Sequence, residues 1–182
     1  MRSFYKALFK NPRAIGSVTP SSPWLSRGVA SMVPNTEGYI LEIGAGTGAI
    51  TKALLRRGIA HHRLIIVESS QILVEALKSK FPLIKILHGD AKDLSELLGD
   101  LSKNIDAIVS SLPLLILPEK TKNKIISEIE KILKPRNYYI QYTHGFVPSI
   151  FESKVQFKKV KSKNIWLNFP PARIDAFKIK DN

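Results

Sequence analysis

The chain has 182 residues, enough for one domain with a substantial core, and its 44% hydrophobic and 24% charged content is that of a globular protein. It has no cysteine, which excludes disulfides and thiolate metal sites, and no apolar run approaches the roughly 20 residues that a membrane span requires. A net charge of +13 favours an anionic partner, either nucleic acid or an acidic membrane surface, although lysine used simply for solubility would give the same balance.

Residues 2–10 predict a short helix that stops at Asn11-Pro12. At 100° per residue, Phe4, Leu8, Tyr5 and Phe9 fall within an arc of about 140°, flanked by Arg2, Lys6 and Lys10. An aromatic face beside a basic ridge suits a helix lying in a bilayer interface, and equally a helix docked on its own domain. Residues 1–36 hold five basic residues and no acid, and lack the long apolar core of a signal peptide. The expectation is a cytoplasmic protein held peripherally at the inner membrane face, with residues 1–36 as a helical extension of a single domain spanning 1–182.

Ser21-Ser22-Pro23 reads as an N-cap followed by proline at the first helical position, opening a helix to about Met32. Beyond Pro34, strands are predicted over 39–43, 63–67, 84–88, 105–110 and 137–142. Helices are predicted over 47–57, 70–80, 93–101 and 119–133. The strands are continuous apolar runs, as expected where helices cover both faces of a mostly parallel sheet. Two further strands, 155–161 and 172–179, are joined through Asn168-Phe169-Pro170-Pro171. Together these predict an α/β, Rossmann-like sheet of seven strands closed by an antiparallel C-terminal pair.

The first strand runs into Glu42-Ile43-Gly44-Ala45-Gly46-Thr47-Gly48, and the second ends on Glu68. Gly44 and Gly46 permit positive φ and close approach of a ligand to the backbone. The spacing is not the G-x-G-x-x-G that aims a helix N-terminus at a pyrophosphate. A ribose-binding acid without a pyrophosphate site points to S-adenosylmethionine (SAM). Glu68 would accept from both ribose hydroxyls, Asp90 from the adenine amino group, and the Ala91 amide would donate to the ring. Ser69 and Ser110, at the second and fourth strand ends, complete this set with Glu42, Gly44, Ala45, Gly46 and Gly48. Each acid alone could be a helix cap. His61-His62 lacks accompanying carboxylates and reads as a solvated turn, so no metal is expected.

The fourth strand ends in Ser110-Ser111-Leu112-Pro113-Leu114-Leu115. Enzymes that methylate an extruded adenine place an aromatic platform in such a loop; here Leu114 follows the proline. An apolar loop suits a greasy substrate better. With Gly16-Ser17-Val18-Thr19-Pro20-Ser21-Ser22, the E-I-G-A-G-T-G turn, Ile140-Gln141-Tyr142-Thr143-His144-Gly145 and Asn168-Phe169-Pro170-Pro171-Ala172, the chain resembles the bacterial phospholipid N-methyltransferases over about residues 4–178. It departs from that pattern at His144, where a second aromatic is usual, and at Ser111, commonly glycine. The glycine turn alone is shared with ribosomal-RNA adenine dimethyltransferases.

The resemblance implies methylation of the phosphatidylethanolamine amine towards phosphatidylcholine, with peripheral attachment to an anionic membrane. Tyr142 and His144 repeat at the strand period of two and share a facing, so they are candidates to accept a hydrogen bond from the amine or relay its proton to water, although Tyr142 could equally pack and His144 cap a turn. Ser21, Ser22 and the following helix N-terminus would meet the lipid phosphate, and Ser111, Leu112 and Pro113 would line the substrate path. The competing readings are an RNA adenine N6-methyltransferase and a non-catalytic, membrane-associated SAM-binding protein.

Overall fold

The computed structural model describes residues 21–145, 148–154 and 156–180. The helix predicted over 2–10 and the Gly16–Pro20 motif lie outside the described residues. Helix α1 (Pro23–Met32) starts as expected: the Ser22 hydroxyl accepts from the Leu25 amide at 3.1 Å, and proline occupies the first turn.

Seven strands follow, β1 (Tyr39–Ile43), β2 (Leu64–Glu68), β3 (Lys85–His88), β4 (Ile105–Ser110), β5 (Tyr138–His144), β6 (Phe157–Ile165) and β7 (Ala172–Ile179). They form one sheet in the order β3-β2-β1-β4-β5-β7-β6. The first five are parallel, and β7 lies antiparallel between β5 and β6. Every residue of β2 is buried, which explains its unbroken apolar run.

Alternation divides the core into two layers. Ile40, Leu64, Ile66, Val109 and Ile140 face one side, against α1, α2 (Ala49–Arg56) and α3 (Gln71–Lys80). Leu41, Ile65, Ile108, Tyr139 and Phe177 face the other, against α4 (Leu94–Leu98) and α5 (Glu119–Ile132). Helix α1 reaches close to the sheet because Gly28 has no side chain: a Cβ there would lie 2.7 Å from the Ile174 Cδ1 atom.

The helix expected over 93–101 is shorter. It breaks at Gly99, whose φ of 50° ends α4, and 3-10 turns carry the chain to Asn104. The strand expected over 155–161 runs instead from Phe157 to Ile165. As the sheet margin it is exposed from Lys158 to Asn164, so no apolar alternation marks its length. A bulge between Lys159 and Lys161 also shifts its parity.

Candidate active site

The sheet register brings the expected residues to one edge. Ile43 pairs with Val67 and with Ser110, Ser110 with Gln141, and Glu68 with His88. Glu68, Asp90, Ser110, Tyr142 and His144 therefore emerge at the carboxyl ends of adjacent parallel strands, where open α/β sheets bind ligands.

The β1–α2 turn is built from three glycines with positive φ: Gly44 at 72°, Gly46 at 56° and Gly48 at 77°. They are not equivalent. A Cβ on Gly48 would fall 2.5 Å from the Phe81 ring and one on Gly44 3.1 Å from Leu112, whereas one on Gly46 would meet nothing within 4 Å. Gly48 serves packing, and Gly46 borders open space. The Gly46 amide donates to Glu68 Oε2 at 3.0 Å and the Ser70 amide to Glu68 Oε1 at 3.0 Å. Two backbone donors orient this buried carboxylate, and each oxygen retains acceptor capacity.

Glu42 is also buried. Its Oε2 accepts from the Thr51 hydroxyl at 2.6 Å, while Oε1 has no partner. Burial pushes its carboxyl up to about 7, against the lowering effect of the Thr51 hydrogen bonds. Asp90 Oδ1 accepts from the Lys92 amide at 2.9 Å and Oδ2 lies 3.2 Å from Lys92 Nζ, so it does cap a short turn. Its side chain is still 36% exposed. Ala91 beside it is buried, and Ser69 is exposed, its carbonyl 3.1 Å from His88 Nε2.

At β4 the chain turns into the apolar loop. Ser110 is fully buried and accepts from the Leu112 amide at 3.3 Å; the Ser111 amide donates to the Ile43 carbonyl at 3.0 Å. Ser110 thus shapes the loop that carries Ser111, Leu112 and Pro113 past the glycine turn. Gln141, to which the sequence assigned no role, donates from Nε2 to the Leu112 carbonyl at 3.2 Å and accepts from Ser149 at 3.5 Å. A glutamine following the aromatic and apolar run Tyr138-Tyr139-Ile140 was the available signal for this brace. Thr51, the partner of Glu42, carried no such signal.

Tyr142 and His144 share a face of β5, their rings 5.5 Å apart and edge-on. The Ser21 hydroxyl donates to the Tyr142 hydroxyl at 3.3 Å, joining two expected site residues 121 positions apart. Ser22 spends its hydroxyl on the α1 cap. His144 is half-buried, with Nδ1 unpartnered. Burial lowers its pKa, opposed by the Pro170 carbonyl, so the neutral imidazole is favoured. Among the described residues no cluster of three or more His, Asp or Glu could hold a metal, and no helix is long and apolar enough to cross a membrane.

A sheet of this order, with an acid at the second strand end and an open glycine turn at the first, defines the class of SAM-dependent methyltransferases. A family model described as a methyltransferase domain matches residues 40–136, and the chain belongs to that family; its cofactor is SAM. The chain is 31% identical, over 79% of each sequence, to an ornithine lipid N-methyltransferase of Singulisphaera acidiphila. It is 34% identical over 47% of its length to ribosomal RNA small subunit methyltransferase A of Mycoplasma capricolum, covering 32% of that protein. In fold it resembles 1,6-didemethyltoxoflavin-N1-methyltransferase of Burkholderia thailandensis, solved with S-adenosylhomocysteine, with a TM-score of 0.73 at 14% identity, covering 99% of this chain and 87% of that one.

Proposed function

We propose that this chain methylates the primary amine of a membrane-lipid headgroup, with phosphatidylethanolamine as the substrate and its methylated intermediates as further acceptors. The observation that carries the reading is the braced apolar loop. Leu112 packs against the glycine turn, Gln141 fixes its carbonyl, and the loop offers no aromatic platform for an extruded base. The likeness to a lipid N-methyltransferase supports the same class of acceptor.

The cofactor residues fit SAM on two counts: the open space at Gly46 admits a ligand against the backbone, and the unpartnered Glu42 oxygen is buried near the end of the strand that leads into that turn. Glu68 would hold the ribose hydroxyls, Asp90 and the Ala91 amide the adenine, and Gly44, Ala45 and Gly46 would pass alongside. SAM supplies a methyl on a cationic sulfur. The amine, once its ammonium form had given up one proton, would take that methyl by in-line displacement, the N–C bond forming as the C–S electron pair stays on sulfur.

This chain's contribution is alignment, exclusion of water and deprotonation. A headgroup ammonium has no lone pair until it loses a proton. In this reading His144, whose neutral form burial favours, would accept it, and the Tyr142 ring and hydroxyl would orient the nitrogen. Ser111, Leu112 and Pro113 cover the reacting nitrogen, and Ser21 would bond the headgroup phosphate.

The test is transfer from labelled SAM to vesicles of phosphatidylethanolamine, to vesicles of an ornithine lipid, and to RNA. Label in phosphatidylethanolamine supports the proposal as stated. Label in the ornithine lipid alone keeps the amine chemistry and replaces the headgroup. Label in RNA alone would establish the ribosomal-RNA-like reading, and SAM binding without product the non-catalytic one.

A further inference from the structure

We propose that the β6–β7 loop is a wedge that seats the active-site edge in the interfacial zone of an anionic bilayer. This rests on the reading above for its purpose, but not for its physical basis. The sheet topology fixes the loop's position. β6 runs parallel to β5, and Ile165 pairs with Ala172, which in turn pairs with His144. Residues 166–171 therefore leave the sheet beside the proposed proton acceptor, at the same edge as Glu68 and Asp90.

The loop is held with its large apolar side chains outward. Asn168 is buried and donates from Nδ2 to the Pro170 carbonyl at 2.6 Å, while the Gly145 amide donates to the Pro171 carbonyl at 2.7 Å. Around these anchors Trp166 is 67% exposed, Leu167 66% and Phe169 93%. Trp24, at the start of α1 beside Ser22, is 51% exposed. Large apolar residues gathered at one edge and built outward mark an interaction surface, and tryptophan is enriched where bilayers meet water.

Charge selects the partner. The residues of β7 that face the α1 layer are Ala172, Ile174, Ala176 and Lys178, and their β6 partners are Ile165, Lys163, Lys161 and Lys158. Three lysines thus form a ladder on one face of the sheet margin, leading to the wedge. All three are exposed, and none has a carboxylate within 4.0 Å among the described residues. Tyr142 and His144 lie on this face too, since Tyr138, Ile140, Tyr142 and His144 alternate on it. A cationic ladder beneath an apolar tip matches anionic headgroups above acyl chains. Lysines on an edge strand also discourage strand pairing, but that role requires no apolar tip.

The experiment uses the full chain and vesicles of equal parts phosphatidylglycerol and phosphatidylcholine. Trp166→Ser, Leu167→Ser and Phe169→Ser combined should lower vesicle partitioning about tenfold or more. Leu83→Ser removes a comparably exposed residue from the opposite edge, just before β3, and should leave partitioning unchanged. In the Trp24→Phe variant Trp166 is the sole tryptophan, and its emission should shift to the blue and be quenched by lipids brominated near the headgroup. Undiminished partitioning of a folded triple variant, or Trp166 emission indifferent to vesicles, would overturn the proposal. So would loss of self-association or of RNA binding in the triple variant with vesicle binding intact. Methyl transfer to detergent-dispersed phosphatidylethanolamine separates the two readings: no transfer in any dispersion removes the substrate assignment, while partitioning still decides the wedge.

Discussion

A buried carboxylate with one oxygen unpartnered opposes folding when it is charged, and Glu42 is such a group. Its folded pKa of about 7 lies above its ordinary 4.5, so between these values the folded protein holds a proton that the unfolded chain has released. Stability therefore falls as pH rises through that window, by on the order of 3 kcal/mol if the whole shift is expressed. Glu42→Gln keeps an acceptor for Thr51 and removes the charge. Without SAM it should flatten this pH dependence and raise the unfolding midpoint above pH 7; an unchanged slope would count against it. Glu68 is the opposite case, a carboxylate with both oxygens held by amides. Glu68→Gln leaves one acceptor oxygen for two backbone donors and the ribose. SAM affinity by calorimetry should fall about 100-fold, the effect of losing about 2–3 kcal/mol of hydrogen bonding to a charged group. Unchanged affinity would remove Glu68 from the ribose.

At the scale of elements, the β1–α2 turn separates packing from binding within five residues. Gly46→Ala meets no atom within 4 Å, so beyond the roughly 1 kcal/mol of its positive φ its effect should appear in SAM affinity. Gly48→Ala drives a methyl into the Phe81 ring and should lower the unfolding midpoint more, with the smaller effect on binding. A comparison of thermal midpoints and calorimetric affinities for the pair checks this split. The turn and both acids were legible in sequence because strand, glycine turn and terminal acid are local signals. The different parts played by the three glycines were not, because Phe81 and Leu112, which set them apart, come from distant segments. Strand β5 was legible to Tyr142 but runs to His144, because antiparallel pairing with β7 extends it where apolar content fades. That extension sets His144 beside Tyr142. His144→Asn should lower kcat about 100-fold with little change in KM. Because burial lowers the imidazole pKa, the wild-type rate should hold at pH values somewhat below the ordinary histidine range before falling, and the variant should lack that fall.

Across the whole molecule, the parallel part of the sheet follows from buried apolar runs, whereas β6 could not be bounded from sequence because lysine interrupts it throughout its exposed length. The same lysines give the net charge of +13 part of its geometry. Charge alone does not distinguish a membrane from RNA, since both attract cations and both attractions weaken with salt. The two differ in what remains. Raising salt from about 0.1 M to about 1 M shortens the screening length from about 10 Å to about 3 Å, which suppresses the roughly 1 kcal/mol that each surface lysine contributes near an anionic bilayer. Apolar contacts made by Leu167 and Phe169 survive that change. Binding to anionic vesicles should therefore fall to a salt-insensitive remainder, and Lys158→Gln, Lys161→Gln and Lys163→Gln combined should reduce the salt-sensitive part alone. RNA binding should vanish at high salt without such a remainder. A vesicle titration across this range that falls to zero would mean that the lysines act without the wedge, and that the exposed loop serves some other contact.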